Sequence, residues 1–178
     1  MRKLRNEELN RLTPDQYKAS EKIPAVVVLD NIRSLHNIGS VFRTADAFRI
    51  RKIFLCGITA TPPHREIHKT ALGATESVPW AYYEHTTEVL AKLRKEQYRI
   101  IAVEQAVGAI PPGQMQLTEK QPCAIVFGHE IRGVDQTVVD LCDLCVEIPQ
   151  FGTKHSLNVS VAAGIVIWEV YKQHSVYF

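Results

Sequence analysis

The chain has 178 residues, of which 46% are hydrophobic and 22% are charged, and its formal net charge is +2. This size and composition are typical of one globular domain with a substantial core and exclude a disordered or fibrous chain. No apolar run is long enough to cross a bilayer, and the basic N-terminus is not followed by the apolar segment of a secretory signal. We therefore expect a cytoplasmic protein with no membrane partner.

The first 22 residues form a polar arm that carries the excess positive charge. Six basic and four acidic residues lie in this arm, whereas the rest of the chain is balanced. The pattern predicts a short helix plus a loop, with Pro14 placed to open a turn. A basic arm either holds the phosphates of a nucleic acid or is a solvated leader, and charge alone does not decide between the two.

Apolar runs typical of buried strands alternate with helical patterns along the rest of the chain. The predicted strands are residues 25–30, 52–56, 78–83, 99–103, 122–127 and 145–148. The predicted helices are residues 38–48, 86–97, 134–141, and a last helix from Ser156 or Asn158 to about Tyr171. The first strand is a continuous Val/Leu run, typical of a strand that is buried on both faces of a parallel sheet. We predict an α/β fold with a mainly parallel sheet of about six strands flanked by helices.

Two segments between these elements show no clear helical or strand pattern. Residues 64–77 predict a loop with one helical turn, and their His, Arg and Lys side chains either contact a nucleic-acid backbone or are simply solvated. Residues 108–120 predict a loop rich in Pro and Gly. The last helix is apolar on almost every side, so we expect another surface to bury it, and a partner subunit is a reasonable candidate.

The four cysteines predict packing rather than chemistry. Cys56 and Cys123 lie in strand-like runs, where a thiol behaves as a small apolar group. Cys142 and Cys145 form a C-x-x-C pair, but a zinc site needs two more ligands at suitable spacing and none is evident. We therefore expect no metal site.

Three polar stretches follow apolar strands: residues 36–44, residues 127–135 and residues 148–163. Ligands of parallel sheets bind beyond the carboxyl ends of the strands, so we expect these stretches to form one site. The chain has no G-x-G-x-x-G after its first strand, no G-x-x-x-x-G-K-[ST] and no G-x-S-x-G, which argues against a standard dinucleotide, NTP or hydrolase site. The side chains on offer are a carboxylate, two anchors and two helix-capping residues: Glu130, Asn37, Arg43, Ser156 and Asn158.

In order and spacing, the three stretches resemble the motifs of the SpoU (TrmH-like) branch of the SPOUT RNA methyltransferases. The resemblance rests on residues 31–48, 125–130, 148–149 and 156–162, and it extends over about residues 25–172. It implies a single SpoU-type methyltransferase domain over residues 1–178, with a C-terminal trefoil knot. It also implies a homodimer that uses S-adenosylmethionine to methylate a ribose 2′-hydroxyl of tRNA or rRNA at a site near the subunit interface.

The resemblance assigns roles to particular residues. It implies that the catalytic and substrate-side residues are Arg43, Asn37, Glu130, Ser156 and Asn158. It implies that the cofactor cradle is formed by Phe127, Gly128, Ile148 and Leu157, together with Ser156. The sequence departs from the family pattern at Arg49, where glycine is usual, and at Gln150, where an apolar residue is common. Two other classes stay open: a catalytically silent RNA-binding dimer of the same fold and a Rossmann-like nucleotide-binding module.

Overall fold

A computed structural model of the protein describes residues 1–118 and 121–174. Its centre is a six-stranded sheet in which every pairing is parallel, with the strand order β3-β2-β1-β5-β4-β6. The strands are Ile23–Asp30 (β1), Ile50–Cys56 (β2), Trp80–Tyr83 (β3), Arg99–Val103 (β4), Cys123–Phe127 (β5) and Leu144–Val146 (β6). The predicted α/β class and parallel sheet are confirmed. The trefoil knot stays a prediction.

Helices cover both faces of the sheet. They are Pro14–Ala19 (α1), Leu35–Ala47 (α2), Arg65–Ala71 (α3), Ala74–Ser77 (α4), Thr86–Lys95 (α5), Gln136–Val139 (α6) and Val159–His174 (α7), with short 3-10 helices at Asn6–Leu9 and Pro112–Gln114. None of the helices in the described part of the chain combines the length and the apolar character needed to span a bilayer.

The central strand β1 is apolar from Ile23 to Leu29 because helices cover both of its faces. Val27 packs into the core on the face covered by α2, α3 and α7, whereas Val26 and Val28 pack into the core covered by α5 and α6. A strand between two helical layers has no solvent-facing side, so alternation of apolar and polar residues is lost. The chain leaves β1 towards β2 and β3 and returns to the other side through β4, β5 and β6, which places a topological switch point between β1 and β5.

The N-terminal arm is partly attached to the core. Thr13 caps α1 by accepting a hydrogen bond from the Gln16 N–H, and Pro14 is the first helical residue. Tyr17 is buried in the main core and donates a hydrogen bond to the Ile50 carbonyl at 3.4 Å. A fully solvated leader is therefore ruled out for the part of the arm around Tyr17, while residues 1–16 are exposed wherever their burial is described.

Several predicted boundaries were wrong by a few residues. The helix predicted at residues 134–141 is a single turn, Gln136–Val139, and the strand predicted at 145–148 is Leu144–Val146. The last helix is Val159–His174 and Asn158 caps it, which confirms the second of the two predicted starts, whereas Ser156 lies before the helix. Short elements held by tertiary contacts have weak local signals, so their ends are hard to place from sequence. The predicted loop at 108–120 includes residues 119 and 120, which lie outside the described part of the chain.

The largest corrections concern α2 and the segment after β2. The first-stretch helix begins at Leu35 and not at Ile38, because Ser34 caps it, so Asn37 lies in its first turn rather than in a loop. Residues 64–77 form two helices, α3 and α4, rather than a loop with one turn. These helices are too short for apolar periodicity to reveal. They are held by close packing, since a Cβ on Gly39 of α2 would lie 2.1 Å from the Thr70 Oγ1 of α3.

Candidate functional site

A cavity of about 300 Å³ lies beyond the carboxyl ends of β4, β5 and β6 and next to the start of α7. Its walls come from four separate segments: residues 103–105, 127–133, 146–150 and 155–162. All five residues that the family resemblance assigns to a cofactor cradle contribute to its lining: Phe127, Gly128, Ile148, Ser156 and Leu157. The parallel strands end at the same edge, which is why residues far apart in sequence meet here.

The loop after β5 is compact, and Gly128 makes this possible. The loop closes through hydrogen bonds between the backbones of His129 and Gly133 at 3.0 and 2.8 Å. A Cβ on Gly128 would lie 2.2 Å from the Val134 nitrogen and 2.3 Å from the Gly133 carbonyl carbon. Because both neighbours are backbone atoms, no side chain can turn away to relieve the clash. Glycine is therefore required for the loop to line the cavity in this way.

The three polar stretches are joined by hydrogen bonds through Asn37, which contacts Glu130 and Asn158. The Glu130 Oε1 accepts from the Asn37 Nδ2 at 3.0 Å, and the Asn37 Oδ1 accepts from the Asn158 Nδ2 at 3.1 Å. We call Asn37, Glu130 and Asn158 the rim network. Glu130 lines the cavity, whereas Asn37 and Asn158 do not line it and are linked to it through hydrogen bonds. The network also fixes the orientation of the Asn37 amide, because only its NH2 group can donate to a carboxylate.

Glu130 is held ionised by the backbone of the first stretch. Its two oxygens accept the N–H groups of Arg33 at 3.0 Å and Ser34 at 2.9 Å, in addition to the Asn37 amide. Burial by itself would raise the pKa of Glu130, but these hydrogen bonds together lower the pKa below its ordinary value. The carboxylate is thus a fixed negative charge that binds the start of α2 to the loop after β5.

The third stretch reaches the same point in two ways. The Asn158 Oδ1 accepts hydrogen bonds from the Ser160 N–H at 2.9 Å and the Ser160 hydroxyl at 2.7 Å, so Asn158 caps α7 while its amide contacts Asn37. Ser156 and Leu157, just before it, are exposed and line the cavity. Capping and site support are therefore combined in Asn158, whereas Ser156 faces the cavity without capping the helix.

Arg43 lies apart from the rim network. It is exposed on α2 and does not line the cavity. Its guanidinium has no hydrogen-bond or ion-pair partner within residues 1–118 and 121–174, so its donors are available to a ligand or to another chain. The nearby departure from the family pattern, Arg49, takes a φ of 52°, which is in the left-handed region where glycine is favoured. The other departure, Gln150, contributes to the cavity wall.

Sequence reasoning missed the residues that follow β4. Glu104 lines the cavity, and its Oε2 accepts the Val134 N–H at 2.7 Å. The neighbouring Gln105 Nε2 donates to the His155 carbonyl at 2.8 Å and so holds the third stretch. Both residues lie just beyond the carboxyl end of a strand. Ligands bind beyond the carboxyl ends of parallel strands, and applying this rule to β4 as well would have identified Glu104 and Gln105.

The C-x-x-C pair lies outside this cavity. Burial raises the pKa of the Cys142 thiol to about 12, and this thiol contacts the Val138 carbonyl oxygen at 3.2 Å. Burial also raises the pKa of Cys145, whose thiol contacts the Glu104 carbonyl oxygen at 3.4 Å. Within the residues that the structure describes, no group of three or more His, Cys, Asp or Glu side chains is arranged to hold a metal ion.

The fold and the cavity define an α/β protein with an all-parallel sheet and a ligand cavity at the carboxyl ends of its strands. The model of the SpoU rRNA Methylase family matches residues 24–168, and the chain belongs to this family. The family resemblance deduced from the three stretches is therefore confirmed.

Individual relatives agree with this assignment. The chain is 33% identical over 150 residues to the 23S rRNA (guanosine-2'-O-)-methyltransferase RlmB of Nitrosomonas europaea. The aligned region covers 84% of this chain and 56% of that relative. The chain thus spans little more than half the length of that relative. It also superposes on the AdoMet-bound rRNA methyltransferase from Sinorhizobium meliloti with a TM-score of 0.80 and 26% identity, over 91% of this chain and 61% of the other.

A more distant structure supports the fold alone. The TrmH/SpoU tRNA modifying enzyme from A. aeolicus superposes with a TM-score of 0.78 at 23% identity, over 87% of this chain and 77% of that chain.

Proposed function

We propose that the protein transfers a methyl group from S-adenosylmethionine to a ribose 2′-hydroxyl of tRNA or rRNA. The observation that carries the proposal is the rim network, in which Asn37 of the first family stretch is hydrogen-bonded to Glu130 of the second and to Asn158 of the third, at the edge of one cavity. Membership of the SpoU rRNA Methylase family and the names of its relatives point in the same direction.

The residues around the cavity suit S-adenosylmethionine. Phe127, Ile148 and Leu157 offer apolar surface to the adenine ring, while backbone N–H and C=O groups of the loops are suited to its polar edge. The carboxylates of Glu104 and Glu130 complement the positive charges of the sulfonium and ammonium groups. When bound, this cofactor supplies a methyl group that is already activated for transfer.

The work left to the protein is positioning, which contributes roughly 7–11 kcal/mol when the reacting atoms are well aligned. Arg43 is the residue we assign to the ribose oxygen. A guanidinium stays protonated in proteins, so Arg43 is not a general base. We propose instead that its planar fork binds the adjacent phosphate and stabilises the negative charge that develops on the 2′-oxygen, while the proton passes to that phosphate.

We further propose that the protein acts as a homodimer in which Arg43 serves the cavity of the partner copy. Arg43 does not line the cavity of its own chain. On α7, which packs against α2, Val161, Ile165 and Trp168 are 50%, 39% and 48% exposed and share one helical face. An exposed apolar stripe of this kind is typical of a subunit interface. Trp168 packs on Phe48, just beyond the end of α2, with 5.6 Å between ring centroids, so the stripe continues towards the helix of Arg43.

Two further features of the proposed enzyme come from the family. The basic arm over residues 1–22 is proposed to bind the RNA phosphates, as part of a single SpoU-type domain over residues 1–178. The C-terminal part is proposed to form a trefoil knot, which the family resemblance implies. The path of the chain traced in an electron density map tests the knot.

The central test measures transfer of a labelled methyl group from S-adenosylmethionine to tRNA and rRNA from cells that lack this protein. We expect incorporation, located at a 2′-O-methylated nucleotide by mass spectrometry. RNA that is bound without gaining a methyl group would instead indicate a catalytically silent RNA-binding dimer. Calorimetric titration with S-adenosylmethionine and with NAD separates the proposal from a Rossmann-like nucleotide-binding module.

A mixed dimer tests whether Arg43 acts on the partner. One chain carries R43A and the other carries L157R, whose long cationic side chain would occupy the cavity, and two affinity tags isolate the mixed species. If Arg43 serves the partner's cavity, the mixed dimer keeps one intact site and about half of the wild-type activity. If Arg43 serves its own chain, both sites are broken and activity is lost. The two homodimeric variants are the controls, and both should be inactive.

A further inference from the structure

A second cavity lies away from the rim network, between α3, α4 and the start of β3. It has a volume of about 620 Å³ and is lined mainly by apolar surface with cationic side chains around it. Its wall includes Pro62, Ile67, Trp80, Arg65, His68 and Glu76. No role in the proposed reaction is assigned to any of these residues.

The cavity is connected to the catalytic side of the molecule through the first turn of α2. Asn37 in this turn belongs to the rim network, and His36 beside it contacts Glu66 of α3 with 3.1 Å between Nε2 and Oε2. Thr70 of α3 donates a hydrogen bond to the His36 carbonyl at 3.0 Å. A ligand held by α3 would therefore be fixed relative to the residues around the first cavity.

The positive charges near the second cavity are not equivalent. Lys69 is paired with Glu66 at 2.7 Å, and this hydrogen bond, followed by that of His36, lowers the pKa of Glu66. Arg65 is exposed and has no partner for its guanidinium among the described residues, and the same is true of the His68 ring. Arg65 is thus the cation that remains free to bind an anion, and its planar fork fits a phosphate.

Trp80 supplies a different kind of contact. It is half-buried at the start of the edge strand β3, and it contributes to the cavity wall. Its indole N–H has no hydrogen-bond partner within the described ranges. An accessible aromatic ring next to a free arginine is the combination that binds single-stranded nucleic acid, because the ring stacks on a base while the arginine holds the phosphate.

We propose that this cavity binds an unpaired nucleotide of the RNA substrate, with the base stacked on Trp80 and a phosphate held by Arg65. The proposal rests on the proposed function, since it takes the ligand to be RNA. Glu76, on the wall of the same cavity, offers a hydrogen-bond acceptor to the exocyclic amine of a base. Uracil has no such amine, so the site favours cytosine, adenine or guanine over uracil.

The salt dependence of binding tests the phosphate contact. Short oligo(C) is titrated against wild type, R65Q and the control K95Q, which removes one exposed charge from α5 on the opposite face of the sheet. Loss of one phosphate contact should weaken binding several-fold at low salt and reduce the slope of log K against log salt by about 0.7. K95Q should leave both quantities unchanged. A slope for R65Q equal to that of wild type overturns the proposal.

The fluorescence of Trp80 tests the stacked base. The chain has only two tryptophans, so W168F leaves Trp80 as the single tryptophan, which is excited selectively at wavelengths that tyrosine does not absorb. We expect oligo(C) to quench this emission, and oligo(U) to bind more weakly than oligo(C), with the difference reduced in E76Q. W80L should weaken binding about tenfold or more, whereas W80F should keep most of the affinity. If W80L fails to fold, the quenching measurement still decides, because an unquenched Trp80 in saturating RNA overturns the proposal.

Methyl transfer separates this inference from the proposed function. If the wild-type protein methylates RNA and both R65Q and W80L do so with an unchanged KM, only the proposal for the second cavity is contradicted. If oligo(C) quenches the Trp80 fluorescence but the wild-type protein transfers no methyl group, the proposed methyltransferase function is contradicted and nucleotide binding in the second cavity is supported. Wild-type protein that binds no RNA overturns both.

Discussion

The rim network and Arg43 are both assigned to the site, yet their surroundings are opposite. Asn37 is buried and is hydrogen-bonded to both Glu130 and Asn158. Glu130 also accepts from two backbone N–H groups just before α2, and Asn158 also accepts from the first turn of α7. Arg43 is exposed and has no partner among the residues that the structure describes. Groups that are already satisfied within the chain stabilise the shape of the cavity, whereas an unsatisfied exposed donor is available to substrate. The comparison therefore predicts two kinds of mutant: one loses stability together with activity, and the other loses activity alone.

The largest effect is expected from R43A. Removing a donor that stabilises developing oxyanion charge lowers the rate by about 10²–10³-fold. The melting temperature should not change, because the exposed Arg43 guanidinium has no hydrogen-bond or ion-pair partner among the described residues. Rates of methyl transfer and thermal unfolding of the same preparation measure both. R43K keeps the charge but loses the fork, so near wild-type activity in R43K would argue against bidentate phosphate binding.

A glycine pair tests the shape of the cavity itself. G128A places a Cβ 2.2 Å from the Val134 nitrogen, so the loop after β5 must move, and we expect a loss of about 1–3 kcal/mol in the free energy of unfolding. Affinity for S-adenosylmethionine should fall as well, because this loop lines the cavity. G152A is the matched control, since its Cβ would meet nothing within 4 Å. Urea unfolding and calorimetry provide the two readouts, and equal values for both variants would contradict the packing argument.

A double-mutant cycle measures whether the rim network acts as a unit. N37A and N158A remove the two partners of one hydrogen bond, so their effects on unfolding should be non-additive, with a coupling of about 0.5–1.5 kcal/mol. N37A paired with S156A is the control, since Ser156 has no contact with Asn37 among the described residues. Additive behaviour of N37A and N158A would mean that the stretches are held independently.

The smallest expected effect is the loss of stability at acid pH through protonation of Glu130. The pKa of Glu130 in the folded protein lies below the ordinary value of 4.5, with burial opposing the shift and hydrogen bonds from Arg33, Ser34 and Asn37 producing it. Its contribution to stability is thus complete above about pH 4.5 and is lost as the pH falls towards the folded-state pKa. E130Q should be less stable than wild type at neutral pH and should lose less on acidification through this range. E84Q, at an exposed carboxylate, should follow the wild-type curve.

The two regions also differ in how far the sequence could predict them. Apolar runs and Gly-containing loops indicated the six strands and the edge of the sheet where the cavity lies, because strand burial and the direction of parallel strands follow from local patterns. The same patterns wrongly placed Asn37 in a loop. The apolar stripe begins only at Ile38, but Ser34 caps the helix and α2 starts at Leu35. The patterns also missed α3 and α4 because helices of seven and four residues show too little periodicity.

The sequence by itself determined the α/β class, the family, and which loops would meet at the edge of the sheet, because each depends on residue types at short spacings. Only the tertiary structure decided that Glu130 holds Asn37 across 93 residues, that Glu104 joins the cavity, and that Arg43 stays outside it. It alone placed Trp80 and Arg65 on the wall of the same cavity. Contacts between distant residues depend on how the helices pack on the sheet, and no local pattern records that geometry.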